Sequence, residues 1–260
     1  RILALTSDAD GPKALAELLA ANGFGASRLT LLEALGGPRE RLRESAVAGF
    51  DLAGIDRLNL CAIEVVPAPD ARVLARAAGL ADALYEHDGQ LTKREMRAIT
   101  LSALAPKRGQ LLWDIGAGSG SIGIEWMLAD PAMRAIAIEA EPERVRRIRR
   151  NALAFGVPDL RVVEGTAPDA LAGLPEPDAV FVGGGGSEPG VLEAAIAALK
   201  PGGVLVANAV TTELELLLLS RHKQSGGSLS RVAIAHASPV GTMTGWRPAM
   251  PVTQWSWVKP

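Results

Sequence analysis

Hydrophobic and polar positions divide the chain into two stretches with different rhythms. In the first, apolar runs at 2–6, 29–32 and 58–66 read as strands, because turn residues bound them: Asp10-Gly11-Pro12, Gly36-Gly37-Pro38 and Pro67-Ala68-Pro69. Leu15, Leu18 and Leu19 recur at helical spacing and predict a helix over 12–21, stopped at Asn22-Gly23. The charged segment 39–48 predicts a second helix. These elements make a small α/β lobe, assigned to residues 1–84, too small for a comfortable stand-alone enzyme. Residues 80–92 read as a linker, with His87, Asp88, Gly89 and Gln90 its most polar part.

Beyond the linker the pattern alternates. Thr92, followed by Glu95 three residues on, predicts a capping box that opens a helix over 92–104. Strands are expected at 111–115, 135–140, 161–165, 178–183 and 203–210, with helices at 121–129, 142–154 and 189–199 and a short one near 169–171. Such βαβ repetition predicts an α/β domain over 85–260 with a doubly wound, mostly parallel sheet. The tail breaks the rhythm. A helix at 212–220 is followed by strand-like runs at 229–236 and 252–258 with no helix between them, expected as an antiparallel pair on the sheet edge.

Composition narrows the chemistry without choosing it. The 260 residues are 48% hydrophobic and 22% charged, with a formal net charge of -2 and a pI near 6.0. No global positive field advertises a nucleic-acid partner. Cys61 is the single cysteine, so no internal disulfide and no zinc-type cluster is expected, and a reduced, cytoplasmic setting fits. No apolar run has the length to span a bilayer, and the first residues look like a strand, not a signal peptide. The chain begins without Met, which hints at sequence upstream.

The chemistry concentrates where the first long strand meets a helix, at Asp114-Ile115-Gly116-Ala117-Gly118-Ser119-Gly120. Alternating glycines let the backbone turn sharply against a ligand, and the following helix N-terminus offers unpaired amides. A dinucleotide fingerprint wants its third glycine where Ser121 stands, so that reading fails. The next strand ends in Glu139, a carboxylate that could take two ribose hydroxyls; Asp178 opens the fourth strand, and Leu199-Lys200-Pro201-Gly202-Gly203 announces the fifth. Together these four marks resemble the class I S-adenosylmethionine-dependent methyltransferases, a Rossmann-like fold.

Flanking segments narrow the resemblance. Asp88 to Arg97, Glu164-Gly165-Thr166-Ala167-Pro168, the run from Asp178 to Gly186 and Asn208-Ala209-Val210-Thr211 resemble the CbiT-type domain of cobalamin biosynthesis. The ending from Gly241 to Trp257 resembles the fused, decarboxylating precorrin-6Y C5,15-methyltransferases of the CobL type, and residues 1–66 are similar to the second lobe of their CbiE-type tetrapyrrole methylase half. The resemblance implies methylation of a precorrin at C15 with decarboxylation of the ring C acetate. It also implies impaired or lost C5 methylation, because that half's first lobe is not part of this sequence. It further implies S-adenosylmethionine as cofactor, S-adenosylhomocysteine as product, no metal, no nucleic-acid or membrane partner, and a homotetramer.

By the same resemblance Asp114, Gly116, Ala117, Gly118 and Gly120 hold the methionine end of the cofactor and Glu139 the ribose. Gly165, Thr166 and Ala167 take the adenine, through backbone groups, because Thr166 stands where many relatives carry Asp. Substrate-side candidates are Lys93, Arg94 and Arg97 on the first helix, Gly183, Gly184, Gly185 and Gly186 with Ser187 and Glu188, and Trp246 and Arg247 in the C-terminal loop. Lys93, Arg97, Gly184, Gly185 and Glu188 form the catalytic set. Bland readings compete: the arginines of 144–150 as a solvated helix face, Trp246 as packing, His87, His222 and His236 as structural or surface, and Cys61 as core. A methyltransferase for tRNA or protein, and an inactive assembly platform, are the rival functions.

Overall fold

A computed structural model describes residues 1–260 and divides them into two units, Arg1–Ala75 and Arg76–Pro260. The first is an antiparallel sheet in the order β1-β4-β2-β3, formed by β1 (Ile2–Leu5), β2 (Arg28–Glu33), β3 (Arg41–Ala46) and β4 (Asn59–Glu64), with one helix, α1 (Gly11–Ala21). Its core gathers Ala16, Leu29, Leu31, Val47, Cys61 and Ile63. The helix expected over 39–48 is instead strand β3. Its arginines at alternate positions reach one partner: Arg41 and Arg43 donate to the carboxylate of Glu33 on the neighbouring strand, at 2.8–3.2 Å. Glu33 is fully buried, which alone would raise its pKa, but the two guanidiniums and the Asp56 amide bring it down to about 2.

The second unit begins with a segment that is no linker. Leu80 and Tyr85 are buried, a single 3-10 turn covers Asp82–Leu84, and the segment packs onto this unit. Then follow α2 (Arg94–Leu104), β5 (Leu111–Ile115), α3 (Ser121–Leu128), β6 (Arg134–Glu139), α4 (Pro142–Ala154), β7 (Arg161–Glu164), β8 (Ala179–Val182), α5 (Val191–Ala198), β9 (Val204–Ala209) and α6 (Thr212–Ser225). Four strands close the chain: β10 (Ser228–Val232), β11 (Ala235–Val240), β12 (Met243–Pro248) and β13 (Val252–Val258). The large sheet has the order β10-β13-β9-β8-β5-β6-β7. β5 to β9 pair in parallel, and β13 runs antiparallel to β9 and to β10, as expected.

Strand burial explains why this part was legible. All five residues of β5 are buried, and the core beneath the helices joins Trp113, Ile115, Val180, Val182, Leu205 and Trp255. Such two-sided burial is what a parallel sheet covered by helices demands. Two details differ from expectation. α2 starts at Arg94 behind Lys93, with no side-chain cap, so the Thr92–Glu95 box does not form. The tail also carries an extra hairpin, β11–β12, which pairs only with itself; it contains Trp246 and Arg247, and Trp246 is 77% exposed, not packed.

Candidate functional site

The chain runs from β5 outward to β6 and β7, then crosses back to β8 on the other side of β5. That reversal opens a crevice beyond the carboxyl ends of β5 and β8, where ligands of doubly wound sheets bind. Here it is a cavity of about 1050 Å³. Gly116 follows β5 and Gly183 follows β8, and the Gly183 amide donates to the Ile115 carbonyl at 3.0 Å. The two glycine loops, separate signals in the sequence, meet at the floor. Gly116 has φ +70, and a Cβ there would lie 2.7 Å from Gly184 Cα and closer still to its carbonyl oxygen. Gly118 passes under the Gln90 carbonyl, which would stand 3.0 Å from an added Cβ. Both contacts are backbone on backbone; at Gly116 only a hydrogen fits, and at Gly118 a side chain would press the Gln90 carbonyl aside and meet a left-handed backbone.

Glu139, at the end of β6, is buried and oriented by main-chain amides: Gly118 N donates to Oε2 at 2.8 Å and Glu141 N to Oε1 at 3.1 Å. Arg144 Nη1 stands 3.9 Å from Oε1. Asp114 is held by the Gly123 amide at 2.9 Å through Oδ2, while its Oδ1 and the Ser119 hydroxyl are buried with no hydrogen-bond partner in the chain. Burial pushes the Asp114 carboxyl up to about 7; the Gly123 amide works against this and Glu139 adds to it.

An acid whose folded pKa exceeds its unfolded one takes up a proton on folding, so stability falls as pH climbs from about 4 to about 7. Asp114→Asn keeps an acceptor for Gly123 and never ionises. Relative to wild type it should gain roughly 2–4 kcal/mol between about pH 4 and pH 8 in urea unfolding. A difference that stays flat with pH would rule out the buried acid as its source.

Of the expected site residues, Lys93, Gly116, Ala117, Gly118, Glu139, Gly165, Thr166, Ala167, Gly184, Gly185 and Glu188 all line the cavity. Asp114 and Gly120 lie behind the glycine loop; an added Cβ at Gly120 would come within 2.8 Å of Ile148 Cγ2, so this glycine lets α4 pack. Arg97 is a correction. It is fully buried, donates to Glu125, Asp82 and the carbonyls of Leu80 and Thr92, and lies 4.8 Å over the Tyr85 ring, so it holds the fold and does not line the cavity.

Among the cavity residues to which sequence reasoning gave no site role are Arg144, His236 and Asn208. Arg144, assigned to a solvated face, lines the cavity and clamps Asp88 at 2.9 Å, with Arg147 at 3.0 Å; the Arg144 hydrogen bond leads the causes that hold the Asp88 carboxyl well below its usual range. Its place in the first turn of α4, five residues after Glu139, was the available signal. His236 also reaches the cavity and stands 3.8 Å from Glu95, and Asn208 at the end of β9 forms part of the wall.

Comparison with known proteins now decides the family. The profile of the precorrin methyltransferase domain matches residues 83–259. The chain belongs to the precorrin methyltransferase domain family. All of the cavity lining except Ala81 and Asp82 falls within the matched span. Over the whole chain, this domain and the lobe before it are 68% identical to the precorrin-6Y C(5,15)-methyltransferase [decarboxylating] of a Sinorhizobium species, and they span 63% of that protein's length. The C-terminal domain of precorrin-6Y C5,15-methyltransferase from Rhodobacter capsulatus is 48% identical, with a TM-score of 0.68 over 72% of this chain and all of that one. A SAM-dependent O-methyltransferase from Thermotoga maritima, 14% identical and covering 92% of this chain and 96% of its own, has a TM-score of 0.55 and shares the fold. Fold and family together imply S-adenosylmethionine. The residues fit it: a floor of glycine backbone that a Cβ would fill, and an oriented carboxylate on the second strand. No helix is long and apolar enough to cross a membrane.

Proposed function

We propose that this chain methylates a precorrin at C15 and decarboxylates the ring C acetate, releasing carbon dioxide and leaving a methyl group, in cobalamin biosynthesis. The single observation that carries the reading is the floor where Gly116 meets Gly184, with the oriented Glu139 carboxylate beside it. Asp114, Gly116, Ala117, Gly118 and Gly120 shape the methionine end, Glu139 takes the ribose, and Gly165, Thr166 and Ala167 take the adenine. S-adenosylmethionine would supply an electrophilic methyl whose sulfonium already carries the driving force. What remains for the protein is alignment and exclusion of water.

A cavity of about 1050 Å³ has room for that nucleoside and part of a broad, flat macrocycle. Lys93 stands at its rim, 4.0 Å from Asp82, and is available to the substrate's peripheral carboxylates. Gly184, Gly185 and Glu188 border the place where a reacting carbon would meet the methyl. The first unit is assigned as the second lobe of a tetrapyrrole methylase, with no C5 methylation ascribed to it here. A homotetramer is part of the proposal, supported by the exposed Val240, Met243, Trp246 and Met250 on and beside the β11–β12 hairpin, and a cytoplasmic setting follows from the biosynthetic role.

Calorimetric titration with S-adenosylhomocysteine tests the cofactor half. Wild type should bind in the micromolar range, and Glu139→Ala should weaken binding by roughly 30-fold, about 2 kcal/mol for two lost charge-assisted hydrogen bonds. Wild-type protein that ignores the nucleoside at millimolar levels would overturn the reading. Incubation with precorrin-6Y and S-adenosylmethionine, followed by product mass, tests the substrate half.

A further inference from the structure

On one face of the large sheet, register places Val232 beside Val252 and Gln254 beside Asn208, and α2 packs against β9 with Thr100 and Met96 buried. Asn208, Thr100 and Gln254 close a triangle. Asn208 Nδ2 donates to Thr100 Oγ1 at 2.9 Å, and Gln254 Nε2 donates to Asn208 Oδ1 at 2.9 Å and to Thr100 Oγ1 at 3.2 Å. The exposures of the three are 9%, 0% and 4% in that order.

A primary amide has two N–H donors and two acceptor lone pairs. The triangle takes one of each from Asn208, leaving one N–H and one lone pair with no partner in the chain, on the only member of the three that lines the cavity. The cavity wall also carries Met96, one turn before Thr100 on α2, Val210, two residues on from Asn208, and the paired Val232 and Val252. Polar capacity set in an apolar wall costs stability unless a ligand satisfies it, and two buried residues fix this amide's orientation. No hydrogen bond of the triangle involves a charged group.

We infer that Asn208 holds one carboxyl arm of the substrate by hydrogen bonding without a counter-ion, and that this arm is the one whose carboxylate leaves as carbon dioxide. The inference rests on the substrate reading above. In the loss, the bond between the arm's methylene and its carboxylate breaks, and the electron pair passes into the conjugated iminium of the macrocycle. Carbon dioxide leaves, and the methylene carbon takes a proton from water to become methyl. An ion pair on that carboxylate would stabilise the ground state more than the transition state, where its charge has moved into the ring. A neutral amide in an apolar wall orients the arm with less of that penalty. Thr100 and Gln254 act as positioning residues.

Product masses separate methyl gain from loss of carbon dioxide. With the full chain, precorrin-6Y and S-adenosylmethionine, Asn208→Ala should slow decarboxylation about 10-fold more than methyl transfer, so that methylated, undecarboxylated product accumulates. Thr100→Val, which keeps the shape and frees the amide, should split the two steps in the same direction by about 3-fold. Both variants should bind S-adenosylhomocysteine within about 2-fold of wild type, because the cradle is built elsewhere. Parallel decline of both steps, no decline, or loss of nucleoside binding in both variants overturns the inference. A wild type that binds the nucleoside yet leaves the precorrin unchanged overturns the substrate reading instead, and this inference with it.

Discussion

Glu125→Leu should destabilise the second unit by about 4–6 kcal/mol, the largest stability loss expected from any single substitution here. Glu125 lies in α3 with a side chain only 2% exposed. It accepts from the amides of Gly79 at 2.6 Å and Leu80 at 3.0 Å, from the Tyr85 hydroxyl at 2.9 Å and from Arg97 Nε at 2.5 Å. Leucine fits an otherwise apolar helix, yet it would strand two backbone donors, a phenol and a fully buried guanidinium whose other carboxylate partner, Asp82, is 30% exposed. Breaking a buried pair from one side is the expensive case, and replacing both members is far milder. Adding Arg97→Leu should therefore recover part of the loss. Ala81, Asp82 and Ala83 line the cavity, so the single variant should also bind S-adenosylhomocysteine weakly. Urea unfolding of the single and double variants is the measurement; a single-variant loss below about 1 kcal/mol would mean the network contributes little.

The Arg97–Glu125 pair marks where the sequence was readable and where it was not. The residues of α2 that end up buried are Met96, Arg97, Thr100, Leu101 and Leu104, so Arg97 falls on the apolar stripe of its own helix. That periodicity was available. Its partner was not, because a lone glutamate between Ile124 and Trp126 becomes informative only once α3 is seen to be buried all round. The parallel strands were legible because burial on both faces leaves continuous apolar runs, as in Leu111–Ile115 and Ala179–Val182.

β3 was misread for the opposite reason. Its charges bridge to Glu33 on the adjacent strand, a tertiary pairing that overrides local helix propensity. The β11–β12 hairpin is mostly exposed on both faces, so no alternation announced it. At the site, the glycine loop and Glu139 could be read from order and spacing. Arg144 offered only its place five residues after Glu139, and Asn208 offered no spacing signal, since each takes its meaning from partners more than forty residues away: Arg144 from Asp88, Asn208 from Thr100 and Gln254.

Gly116→Ala should abolish cofactor binding, with S-adenosylhomocysteine affinity down at least about 100-fold, or about 2.7 kcal/mol. Two effects combine at this position. A left-handed backbone at φ +70 strains any L side chain, on the order of 1 kcal/mol. The added methyl also meets main chain, Gly184 Cα at 2.7 Å, so one of the two loops that form the cavity floor has to move. Neighbouring glycines separate the effects. Gly185→Ala carries the same φ of +70 with nothing within 4 Å of its methyl, so it should show the strain alone and only a small change in affinity. Gly184→Ala has an ordinary backbone angle and its nearest contact at 3.6 Å from Gly116 O, so it should fold normally. The expected order of affinity loss is Gly116→Ala far above Gly185→Ala, measured by titration alongside urea unfolding. Equal losses at 116 and 185 would assign the glycine requirement to backbone strain, and the contact between the two loops would then not be what shapes the floor.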